Sequence, residues 1–177
     1  MASFCARLLL ASVIGVGCSA KFHQNPTDDL GRIPPGTAQI RSTIPGVTLQ
    51  NDQGTAVALL NGSVLELRLA SGALTCLKTV EVDRLSVDLG AAQVGTFPVV
   101  TGYPALGTLG PTQARAHACP ATDPAAPPQT NCDQQVRSGT IVVRKLDPDL
   151  GGLIEGTFDV VFADGEVSGT FSARRCF

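Results

Sequence analysis

Apolar and polar residues alternate along this chain with the period of strands, not of helices. The clearest stretch is GTFDVVFADGEVSGTFSARRC, Gly156 to Cys176. Asp164-Gly165 suits the positive φ angles of a tight hairpin turn. A reversal there places Phe158, Val160, Phe162, Val167 and Phe171 on one face. Thr157, Asp159, Val161, Ser168, Thr170 and Ser172 take the other. With those two residues as the loop, Phe162 is expected opposite Val167, Val160 opposite Gly169, and Phe158 opposite Phe171. A one-residue slip would turn the phenylalanines into water, so pattern and turn agree on which face is buried.

The same period recurs upstream. Thr55–Leu60 and Ser63–Leu69 flank Asn61-Gly62, a second hairpin signal. Leu65, Leu67 and Leu69 alternate with Glu66 and Arg68, as in a half-buried strand. A turn at Ser71-Gly72 would set Leu69 opposite Leu74 and Leu67 opposite Cys76, pointing Cys76 into the core. Leu85, Val87 and Leu89 alternate with Arg84, Ser86 and Asp88 as a further strand. Val94–Thr101 contains Pro98, whose missing N–H confines it to an edge or a bulge. Arg137–Lys145 reads as a strand with Ile141 and Val143 on one face, and Asp147–Gly152 as the turn after it.

Gly-Thr followed by Phe or Ile begins at Gly95, Gly139, Gly156 and Gly169. The spacing is too uneven for a repeat architecture. A local account suffices: glycine relieves crowding, threonine faces out and the next residue faces in. No segment of the mature chain carries a helical pattern. The expected fold is all-β, an antiparallel β-sandwich or barrel of about eight to ten strands, stapled by disulfides.

Gly102–Gln135 interrupts the pattern and carries Pro104, Pro111, Pro120, Pro124, Pro127 and Pro128. Within it Thr112–Ala118 fits either a short strand or one helical turn. A loop of this length in a compact domain usually has a function of its own or little order.

Length and composition add address more than chemistry. The chain has 177 residues, 44% hydrophobic and 16% charged, enough for one domain with a real core plus a targeting segment. Its 13 basic and 15 acidic residues give no field that would draw nucleic acid. Residues 1–17 read as a signal peptide: Arg7, then an apolar run from Leu8 to Val16 too short to span a bilayer. Residues 18–36 hold Cys18 and a proline-containing tether, and residues 37–177 the single β domain. Ile14-Gly15-Val16-Gly17-Cys18-Ser19 resembles the lipobox of bacterial lipoproteins, with Gly15 where leucine is usual. That resemblance implies a lipid on Cys18 and, with Ser19 following, sorting to the outer membrane. The same residues also fit an ordinary signal cut after Ala20.

Four cysteines remain beyond the signal region: Cys76, Cys119, Cys132 and Cys176. Three pairings are open to them. Cys119–Cys132 closes locally within the proline-rich loop, which leaves Cys76–Cys176 to tie the last strand to the middle of the sheet. The competing reading is a metal site from His117, Cys119, Cys132 and Asp133, or an enzyme using His117 with nearby carboxylates. No C-x-x-C, G-x-S-x-G or H-E-x-x-H supports it, and exported cysteine pairs are usually oxidised. Asp147 and Asp149 read as turn formers. Asp159 and Glu166 would meet as a carboxylate pair only if the sheet curls, and Arg174-Arg175 reads as a charged strand end. No catalytic residue, metal site or cofactor is assigned.

The lipobox-like start and the GTFD…DGEVSGTFSARRC ending together resemble small secreted bacterial lipoproteins of myxobacterial type. The resemblance rests on structural motifs and transfers no functional residue. The expectation is therefore an exported envelope protein, held to the membrane through an N-terminal lipid anchor, with a non-catalytic binding or scaffolding role. Its partner would be an envelope protein or a surface ligand, met through the loop Gly102–Gln135.

Overall fold

The structure, a computed structural model, describes residues 33–49, 51–76, 82–102, 108–120 and 135–176. Cys18, Cys132, Asp133, the signal segment and most of the tether and the proline-rich loop lie outside them. Among the described residues there are nine strands. They are β1 (Gly36–Ser42), β2 (Asn51–Asn61), β3 (Val64–Ala70), β4 (Arg84–Leu89), β5 (Gly95–Pro98), β6 (Ala114–Cys119), β7 (Val136–Leu146), β8 (Leu153–Phe162) and β9 (Glu166–Arg175). All belong to one sheet in the order β5-β7-β8-β9-β1-β2-β3-β4-β6. Neighbours in that order pair antiparallel, as expected.

The sheet curls until its ends meet. Val99, just after β5, bridges in parallel to Ala114 of β6, and the Val100 N–H donates to the Ala114 carbonyl at 2.8 Å. The result is a nearly closed barrel. Inside lie the alternate residues that the pattern marks as apolar, including Leu65, Leu67, Leu69, Leu85, Val87, Leu89, Phe97, Ile141, Phe158, Val160, Phe162, Val167 and Phe171. The lumen is a packed core. A barrel that spans a bilayer has the opposite arrangement, apolar outside and polar within.

Both hairpin turns lie one residue from their expected positions. In β8–β9, Val160 pairs with Val167, Phe158 with Gly169 and Gly156 with Phe171, and the Phe162 N–H donates to the Gly165 carbonyl at 2.7 Å. The loop is thus Ala163-Asp164. Because partners shift by two, every residue keeps its expected face. The reason is steric: a Cβ on Gly156 would lie 2.7 Å from Phe171 Cζ, and one on Gly169 2.9 Å from Phe158 Cζ. Each phenylalanine needs a glycine opposite it, and only this register supplies both. The two Gly-Thr-Phe triplets therefore pair with each other. In β2–β3, Asn61 pairs with Val64 around Gly62-Ser63, with Gly62 at φ 63°.

Ser71-Gly72 does not form the expected hairpin. Leu67 faces Ala58 and Val87, and Leu69 faces Ala56 and Leu85, because β4 occupies the edge of β3. Leu74 and Cys76 pack instead on the outside of the barrel with Val57, Leu59, Ala70 and Cys176 in a second small core. Cys76 is buried, but not inside the barrel. The outward-facing Val57 and Leu59 are the apolar residues that this segment covers. Thr55 Oγ1 donates to the Gly72 carbonyl and accepts from the Leu74 N–H at 2.9 Å, which fixes the crossing.

The Cys76–Cys176 disulfide closes this outer core, with Cα atoms 5.2 Å apart across a sequence separation of 100. It sits where β1 begins and β9 and β2 meet directly in parallel, Val57 with Arg174 and Ala58 with Arg175. The Cys176 N–H extends that seam to the Ala58 carbonyl at 2.8 Å. Ile33, at the end of the tether, packs against the same cluster.

Candidate binding surface

The proline-rich loop contains a strand. Ala114–Cys119, which spans most of the segment that fitted strand or helical turn, is β6, and all of it but His117 is buried. β4 holds one edge and its inward residues fill the lumen, so little of this strand is exposed. The loop's remaining residues are mostly outside those described.

Strand β4 is the only described strand of six or more residues buried throughout, Arg84, Ser86 and Asp88 included. These face outward, and so do their β6 partners: Ser86 lies opposite His117, Asp88 opposite Arg115, and Arg84 opposite Cys119. Glu66 and Arg68 of β3 extend the layer, bridged Nε to Oε1 at 2.6 Å. The sequence shows the alternation, but it carries no signal that the polar face is also shielded from water.

Hydroxyl, imidazole and carboxylate thus come together at Ser86, His117 and Asp88, the residue types of an acyl-transfer triad. Their commitments differ from a triad's. Asp88 Oδ2 accepts from Arg115 Nε at 2.9 Å and from Nη2 as well, in a pair whose side chains are each 6% exposed. Ser86 is 2% exposed, so no substrate reaches its hydroxyl. Burial pushes the His117 imidazole below its ordinary pKa of 6.5; Asp88 opposes that, Arg115 reinforces it, and Glu66 and Arg84 add smaller effects that oppose each other. Burial, then Arg68, likewise lowers the Arg84 pKa, with Glu66 opposing. The layer is a buried electrostatic brace.

Cys119 is disulfide-bonded, so it is not available as a thiolate ligand beside His117. Among the described residues no three His, Cys, Asp or Glu side chains are grouped to hold a metal. Asp147 acts in its turn, its Oδ1 accepting from the Asp149 N–H at 3.1 Å. Arg174 Nη1 donates to the Gly151 carbonyl at 2.8 Å, tying the last strand to that turn. Asp159 and Glu166 are not direct cross-strand partners: Asp159 lies opposite Ser168 and Glu166 opposite Val161.

A polar concavity lies along β1. A cleft of about 860 Å³ is lined by Ile40, Arg41, Ser42, Thr43, Asp52, Gln53, Glu166 and Ser168. Local irregularity makes it. Ala38 pairs with Gly54 but Ile40 with Asn51, so Asp52 and Gln53 together oppose Gln39 in a bulge. The hydrogen bonds Thr43 N–H to Glu166 O and Glu166 N–H to Thr43 Oγ1, both 2.9 Å, hold the β8–β9 hairpin against the cleft's end. No sequence pattern marks this place, because it depends on β9 adjoining β1 across more than a hundred residues of chain. No family model, curated protein or solved structure matches the chain.

Proposed function

We propose that this chain is an exported cell-envelope protein, lipid-anchored at Cys18 and sorted to the outer membrane, whose barrel has a non-catalytic binding or scaffolding role. The observation that supports it best is cysteine oxidation: Cys76 and Cys176 are bridged, and Cys119 is also disulfide-bonded. Such bonds persist in oxidising compartments, where the N-terminal signal would deliver the chain. Among the described residues the exposed large apolar side chains are Val94 and Leu150, which fits attachment through acyl chains in place of the barrel surface. A filled lumen and a buried Ser86 support a role exercised through the surface.

The test is the intact mass of the mature N-terminus together with fractionation of Cys18→Ser. An acylated Cys18 and release of the variant into the soluble periplasmic fraction are expected. An unmodified N-terminus starting after Ala20 would overturn the anchor.

A further inference from the structure

We infer that the cleft along β1 is a binding site for neutral saccharide chains. The inference deepens the binding role proposed above and does not depend on the lipid.

The register builds a polar platform beside the cleft. One cross-strand row runs Asp159, Ser168, Arg41, and the next runs Thr157, Thr170, Gln39, all on the outward face. The bulge adds Asp52 beside the first row, where it lines a second hollow with Gln39, Arg41, Ser168 and Thr170. Carboxylate, hydroxyl, guanidinium and carboxylate thus follow one another at the spacing of adjacent strands, roughly 5 Å. Arg41 makes no ion pair or side-chain hydrogen bond among the described residues, so its donors face the cleft unspent.

This inventory selects a ligand class. Planar side chains that donate (Arg41), accept (Asp52, Glu166) or do both (Gln39, Gln53) suit vicinal hydroxyls, which also do both. An apolar peptide or a drug-like molecule needs an apolar lining, and here only Ile40 is apolar. One cation against two carboxylates gives the cleft a net charge near −1, which disfavours polyanions.

The test uses the full-length chain in detergent, titrated by calorimetry with a β-1,4-linked glucose hexasaccharide, a β-1,4-linked N-acetylglucosamine pentasaccharide and polygalacturonate. Saturable binding of at least one neutral probe is expected, weakened about tenfold by Arg41→Ala and by Asp52→Ala, since a hydrogen bond to a charged group is at stake. Both variants should keep the wild-type thermal midpoint, the residues being exposed. No binding of either neutral probe, binding of polygalacturonate alone, or binding indifferent to both substitutions would overturn the inference. Because fractionation of Cys18→Ser is read separately, a failed anchor and a failed cleft give different results.

Discussion

Phe171 of β9 stands across from Gly156 of β8, its Cζ where a Cβ on residue 156 would come within 2.7 Å. Phe158 and Gly169 repeat the relationship one step along, and the two rings lie 6.5 Å apart between centroids. The pair of pairs sets the register of the terminal hairpin and fills the middle of the barrel. A methyl group on Gly156 would also run into the Val142 carbonyl oxygen, on the opposite side.

Gly156→Ala should therefore destabilise the fold by about 3 kcal/mol, the upper range for forcing atoms into a packed core. The backbone on one side and a ring on the other leave no direction for relief. Phe171→Ala should cost about 4 kcal/mol by the opposite route, a cavity. Combining them should cost less than the sum, because the ring that the methyl meets is gone. Denaturant titration of the three variants reads all of this.

Loss of the Cys76–Cys176 bridge should cost about 4–5 kcal/mol, the chain-entropy figure for a loop of this size. Cys176→Ser and Cys76→Ser should give similar midpoints, since either removes the same cross-link. Peptide mapping without reductant should recover the two cysteines joined. Thiol labelling of either in folded, untreated protein would contradict the structure.

Breaking the buried Asp88–Arg115 pair from one side should be severe. Arg115→Met leaves an unpaired carboxylate buried at 6% side-chain exposure, at a cost of about 3–5 kcal/mol. The double variant Asp88→Leu/Arg115→Met should be more stable than Arg115→Met alone. An additive double variant would show that the two groups are not coupled.

Stability should fall in mild acid. The His117 pKa is depressed in the folded chain, so below its ordinary value of 6.5 the unfolded chain takes up a proton that the folded one refuses. Unfolding free energy is then lost as pH falls from 6.5 toward the depressed value, and is constant above. His117→Gln should flatten that part of the pH profile while leaving the profile at higher pH parallel to wild type. An unchanged slope in the variant would assign the acid sensitivity elsewhere.

The amino-acid sequence by itself determined which residues of β3, β4, β7, β8 and β9 face the core, because a period of two is a local property that any neighbouring strand must respect. It also determined the Gly-Thr-Phe roles, limited Pro98 to an edge or a bulge, and favoured Cys76–Cys176 among three pairings; the structure puts Pro98 in the end strand β5 and forms that bridge. The tertiary structure decided what needs distant partners. Leu67 meets Val87 and not Cys76; Ser86 and Asp88 are polar residues of an alternating strand yet buried; and the cleft exists only where β9 adjoins β1 beside a bulge in β2. Alternation specifies a face, but the choice of neighbour is made by shape and charge brought together from far along the chain.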